Sequence, residues 1–111
     1  MNLTGAARLF LLQALWRGGV SCAGRALIDG LGASDEDLRT MAGMFLVRGG
    51  GKAVPLLGAA LAKREHLPLV LRIAGDVGAR ELRPEIERLA ADPDQTVAQA
   101  ARDALRILTV S

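Results

Sequence analysis

The residues that could do chemistry are few, and they sit close to glycine. Arg48-Gly49-Gly50-Gly51-Lys52-Ala53 has the look of a phosphate-binding loop. Such a loop needs a glycine five residues before its last glycine, a Ser or Thr after the lysine, and a strand leading in. Leu46 and Ala53 occupy the two key places, and the segment before them has a helical pattern, so a helix–helix turn is expected instead. Gly30-Leu31-Gly32 lacks the third glycine and the strand of a dinucleotide site. Cys22 lies at a helix start beside Arg25, where the helix dipole and the charge could favour a thiolate. No His or Asn partner lies near it in sequence, so packing as a small residue is the expected role. His66 is the only imidazole and falls in a polar turn, as a solvated residue would. Asp35-Glu36-Asp37 could be half of a metal site, but an acidic first turn accounts for all three. Neither a cofactor nor a metal is expected.

Composition narrows the classes further. The chain has 111 residues, half of them apolar and 23% charged, enough for a core and too apolar for disorder. One Cys excludes an internal disulfide framework, and one His with one Cys falls short of a zinc site. Aromatics are 3% with no Tyr, so base-stacking or sugar-binding platforms lack material. Fourteen basic residues against twelve acidic leave a net charge of +2. Residues 1–50 carry five basic and four acidic side chains, and 51–111 carry nine and eight, so neither half has a nucleic-acid footprint. The longest apolar run, Leu9-Phe10-Leu11-Leu12, is broken by Gln13, far short of the roughly 20 residues that span a bilayer. No membrane association and a cytoplasmic location are the expectation.

The elements show a rhythm of about 30 residues. Trp16-Arg17-Gly18-Gly19 recurs as Val47-Arg48-Gly49-Gly50, and Val77-Gly78-Ala79 takes the same place again. Ala53-Val54-Pro55-Leu56-Leu57 matches Leu82-Arg83-Pro84-Glu85-Ile86 with the prolines in register, while Gly24 stands at that place in the first copy. Polar turns at Gly32-Ala33-Ser34, Lys63-Arg64-Glu65-His66 and Asp92-Pro93-Asp94 separate the two helices of each period. Ser34 should cap one helix and Asp94 another. Glycines after helical runs suit left-handed caps, and prolines suit first turns. The spacing predicts seven helices, about 4–17, 21–31, 35–48, 52–63, 67–77, 80–91 and 95–109, and no strands.

Residues 69–78, then Leu82-Arg83-Pro84-Glu85-Ile86-Glu87-Arg88-Leu89, then Asp92-Pro93-Asp94, then Val97 with Ala100-Ala101 and Ala104-Leu105, resemble HEAT repeats. The similarity is to the short bacterial variety also seen in phycobilisome-lyase-type proteins. It spans 67–109 most fully, then 35–66, while over 4–34 only the glycine landmark and helix lengths agree. Ala98 stands where that pattern usually has Arg. The resemblance implies an all-α, right-handed α-solenoid of about three and a half helical hairpins. These would form a single domain over 1–111, with repeats at about 4–31, 35–63 and 67–91 and a final helix at 95–109. It also implies protein binding on a concave face, and it carries over no catalytic residue.

Helix faces say where a partner could sit. In the last helix Val97, Ala100, Ala101, Ala104, Leu105 and Leu108 share one side, and Gln99, Arg102, Asp103 and Arg106 the other. The first helix is apolar nearly all round, including Phe10, Leu11 and Trp16. Either its neighbour wraps it deeply, leaving one or two stray exposed residues, or it is an open end that docks onto a second copy or another protein. In 52–63, Ala53, Leu57, Ala60 and Leu61 form the inner stripe, and Leu56 and Ala59 fall elsewhere. They could form a shallow apolar strip flanked by Arg25, Arg83, Glu87 and Arg88, or simply permit close helix packing. Met41 and Met44 are core fillers or an adaptable surface.

The expectation is a non-enzymatic scaffold that binds a protein partner, with self-association through the first helix as one form of it. An accessory subunit of a lyase- or chaperone-like complex is an alternative, and a helical-repeat nucleic-acid binder another. Nucleic acid is disfavoured by the even charge.

Overall fold

Glycine and proline set the ends of the helices in this chain. In the computed structural model, which describes residues 3–110, seven α-helices follow one another, and no strand occurs among the described residues. They are α1 (Leu3–Arg17), α2 (Ser21–Gly30), α3 (Glu36–Arg48), α4 (Val54–Ala62), α5 (Leu67–Val77), α6 (Arg83–Leu89) and α7 (Gln95–Val110). Short 3-10 turns at Gly50–Ala53 and Arg80–Leu82 lead into α4 and α6.

Continuous helices were expected from 52 and 80. Instead the α-helices begin at Val54 and Arg83, one residue before Pro55 and Pro84. Each is the second residue of its α-helix, where the missing N–H costs nothing. Pro68 takes the same second place in α5.

The helix ends follow an equally local logic. Gly19 (φ 104°) and Gly78 (φ 77°) are left-handed. Val20 N–H donates to the Leu15 carbonyl at 2.9 Å and Ala79 N–H to the Ala74 carbonyl at 3.0 Å, closing the last turns of α1 and α5. After α4 the same bond runs from Glu65 N–H to the Ala60 carbonyl at 2.9 Å, but here the left-handed residue is Arg64 (φ 57°).

Ser34 does not cap α3. Asp35 is the extended residue before the helix, and its carboxylate accepts from Asp37 N–H at 2.8 Å. Ser34 instead belongs to the preceding turn. Arg39 Nη1 donates to the Ala33 carbonyl at 2.7 Å and the Ser34 carbonyl at 3.0 Å, drawing that turn onto α3. Asp94 caps α7 as expected, accepting from Thr96 N–H at 2.9 Å.

The chain divides into two compact units, with the boundary between Gly49 and Gly50. The first holds α1, α2 and α3, each packed on the other two. Its buried residues include Leu9, Trp16, Leu27, Ile28, Phe45 and Leu46. Trp16 and Gly49 fit one another: a Cβ added at Gly49 would lie 2.2 Å from the indole ring. The second unit holds α4 to α7. There α5 packs chiefly on α7, with α4 against α5 and α6 against α7. Gly75 lets α5 approach α7 closely, since a Cβ there would lie 3.3 Å from Ala104 Cα. Ala98 is buried, so the position where the repeat pattern usually has Arg is a small core residue in this chain.

Candidate functional site

Helix α1 turns Ala6, Leu9 and Trp16 inward. Those positions lie along one stripe at 100° per residue, so the opposite stripe must point away from α2 and α3. It carries Leu3, Ala7, Phe10, Leu11, Ala14 and Leu15, all exposed. Phe10 is 58% and Leu11 60% accessible, well beyond one or two stray contacts. The Phe10 ring still meets Phe45 edge-on at 5.1 Å, which fixes its position from below. Met44, next to Phe45 on α3, is also exposed, while Met41 is half-buried. No Asp or Glu occurs in α1, and Arg8 and Arg17 stand on either side of the apolar stripe.

Trp16 is a correction among the residues expected to bind a partner. It is 3% accessible and belongs to the core, in the space that Gly49 leaves open. Phe10 and Leu11 are where the docking reading needs them. Leu3, Leu15 and Met44 join them on the surface; the i+4 step from Leu11 to Leu15 and the i+7 step from Leu3 to Phe10 are the signals that mark two of the three.

In the second unit, Leu57, Ala60 and Leu61 are buried, Leu56 is half-buried and Ala59 exposed. Gly58 packs under Leu82, where a Cβ would lie 3.1 Å from Cδ2, so close packing accounts for that small residue. Arg83 donates to the Glu87 carboxylate at 3.1 Å and to the Thr109 hydroxyl at 3.5 Å. Arg88 pairs with Glu85 within α6. Arg25 lies in the first unit and pairs with Asp29 at 3.1 Å, one turn along α2. These cations are therefore matched to acids on their own helices.

Among the described residues no polar or charged side chain is buried, and no three of His, Cys, Asp and Glu converge as metal ligands. Cys22 is exposed rather than packed as a small core residue. His66 is exposed and left-handed (φ 47°), at the start of α5. The glycine run at 49–51 is the exit of α3 and the 3-10 turn before α4. An open depression of about 470 Å³ lies over Pro68, Gln95, Thr96, Gln99, Ala100 and Asp103. Two of its polar groups are engaged: Gln99 Nε2 donates to Asp103 at 2.9 Å, and Asp103 also pairs with Arg106.

No single helix among the described residues is long and apolar enough to cross a membrane. No family, curated protein or solved structure matches the chain.

Proposed function

We propose that the protein is a non-enzymatic interaction module, a small scaffold of HEAT-like helical hairpins of the right-handed solenoid kind. It binds a protein partner through the exposed apolar face of α1, with Leu56 and Ala59 of α4 as a second, smaller strip. The observation that carries this reading is the exposure of Phe10 and Leu11 on a helix whose other side is already in the core. Scattered apolar residues on a surface need no explanation, but a continuous stripe does. Support for the hairpin assignment is local: Pro55 and Pro84 open α4 and α6 alike, each after a 3-10 turn, and Gly19, Gly50 and Gly78 are all left-handed.

Affinity capture with the tagged protein tests this. Leu11→Asp should abolish recovery of the partner, and Leu56→Asp should weaken it. Equal recovery with Leu11→Asp removes the reading. Retention on heparin distinguishes the nucleic-acid class. Five arginines (Arg25, Arg64, Arg83, Arg88 and Arg106) are ion-paired with carboxylates, so elution below about 0.15 M salt is expected.

A further inference from the structure

We infer that the occupant of the α1 face is α1 of a second copy, running antiparallel across a two-fold axis near Phe10 and Leu11. This rests on the interaction reading above and names the partner. Three observations favour it.

The first is the order of side-chain sizes along the stripe. From its centre outward, Phe10 is followed by Ala7 and Leu3, and Leu11 by Ala14 and Gly18. An antiparallel copy centred between residues 10 and 11 sets Phe10 opposite the partner's Leu11, Ala7 opposite the partner's Ala14 and Leu3 opposite the partner's Gly18. Large side chains then interlock at the centre, small ones admit the helices on either side, and each outer Leu meets a glycine. A two-fold contact must be self-complementary in this way.

The second is the helix dipole, since alignment of the two dipoles favours the antiparallel arrangement. Arg8 borders the stripe, and α1 has no acid to meet it. At a rise of 1.5 Å per residue, the antiparallel pair holds the two Arg8 side chains on one flank, about 8 Å apart along the axis.

The third is area. Leu3, Phe10, Leu11 and Leu15 are between 39% and 79% accessible. Together they present on the order of 450 Å² of apolar surface, within the upper range for a monomer, and two copies approach the roughly 1,000 Å² of a small specific interface. The pairing is therefore weak and reversible.

Sedimentation equilibrium of the purified chain reads it directly. From about 5 to 500 µM, the weight-average mass should rise from near 11.7 kDa toward twice that value. Leu11→Asp, and independently Leu15→Glu, should raise the dissociation constant at least tenfold with unchanged far-ultraviolet circular dichroism and melting temperature, because both positions face solvent. A photo-crosslinker at position 15 should give a covalent dimer of the chain. Wild type that stays monomeric at every concentration overturns the pairing. If α1 then still holds a different protein in the capture experiment, the broader reading survives without it. Co-sedimentation of monomeric wild type, but not Leu11→Asp, with anionic phospholipid vesicles assigns the face to a membrane surface instead. A mass that doubles equally with Leu11→Asp places the contact elsewhere and overturns the assignment to α1.

Discussion

Gly49 leaves the space that the Trp16 indole fills. A methyl group at 49 would lie 2.2 Å from the edge of the buried ring, which cannot swing away as the end of a flexible chain could. Gly49→Ala should therefore cost about 1–3 kcal/mol, as overpacking does, even though Ala is the better helix former. Trp16 is the only tryptophan, so its emission reports on this site alone. A red shift with lower stability in urea is expected; an unchanged spectrum and midpoint would show that the ring is not held there. Arg64 poses the opposite question. It occupies a left-handed position where Gly19 and Gly78 stand at the ends of α1 and α5, and it pairs with Asp92 at 3.0 Å. The arginine is more than half exposed, so the pair contributes only some tenths of a kcal/mol. The left-handed conformation costs a side-chain-bearing residue roughly 1 kcal/mol that glycine does not incur. Arg64→Ala should destabilise, and Arg64→Gly should be about 1 kcal/mol more stable than Arg64→Ala. Equal midpoints for the two variants would mean the turn relaxes out of the left-handed region.

Helices α5 and α7 approach closely at Gly75, where a Cβ would meet the Ala104 backbone and the end of Ile107. Ile107 can move, but Ala104 Cα cannot without shifting α7. Gly75→Val should cost about 1–3 kcal/mol, read as a lower urea midpoint with an unchanged slope; full retention of the midpoint would show that α7 slides freely on α5. At this scale the sequence was informative wherever the cause is local. The glycine and proline marks predict the helices because left-handed backbone and a missing N–H act within one turn. They also predict that Asp94 caps α7. The Ser34 cap was misread because Asp35 is an equal candidate one residue on, and Arg39 decides between them by holding the Ala33 and Ser34 carbonyls. The 3-10 turns before α4 and α6 are not legible, since Pro68 holds the same place in α5 and no 3-10 turn precedes that helix. The inward side of α1 was not legible. A helix apolar all round gives no stripe to choose from, and Trp16 is selected by Gly49, 33 residues away. The same all-round apolar pattern gives no means to tell the exposed Phe10 and Leu11 from the buried Trp16.

For the whole molecule in solution, the small net charge of +2 leaves local charge to set the salt response of any association. In the antiparallel α1 pair the two Arg8 charges stand roughly 10–12 Å apart, allowing for the lateral distance between helices, and in water they repel by about 0.4 kcal/mol. That is close to a factor of two in the dissociation constant. Salt screens it, since the Debye length falls from tens of ångströms at 0.01 M to less than 10 Å above 0.15 M. Self-association should thus tighten about twofold between roughly 0.02 and 0.5 M NaCl. Arg8→Gln should show the tighter constant already at low salt and lose most of the salt response. An acidic partner or an anionic membrane at the same face would behave in the opposite sense, weakening with salt and weakening again with Arg8→Gln. The sign of the salt effect on sedimentation or on vesicle binding therefore separates a second copy from every oppositely charged occupant, because only the self-pair sets Arg8 against its own image.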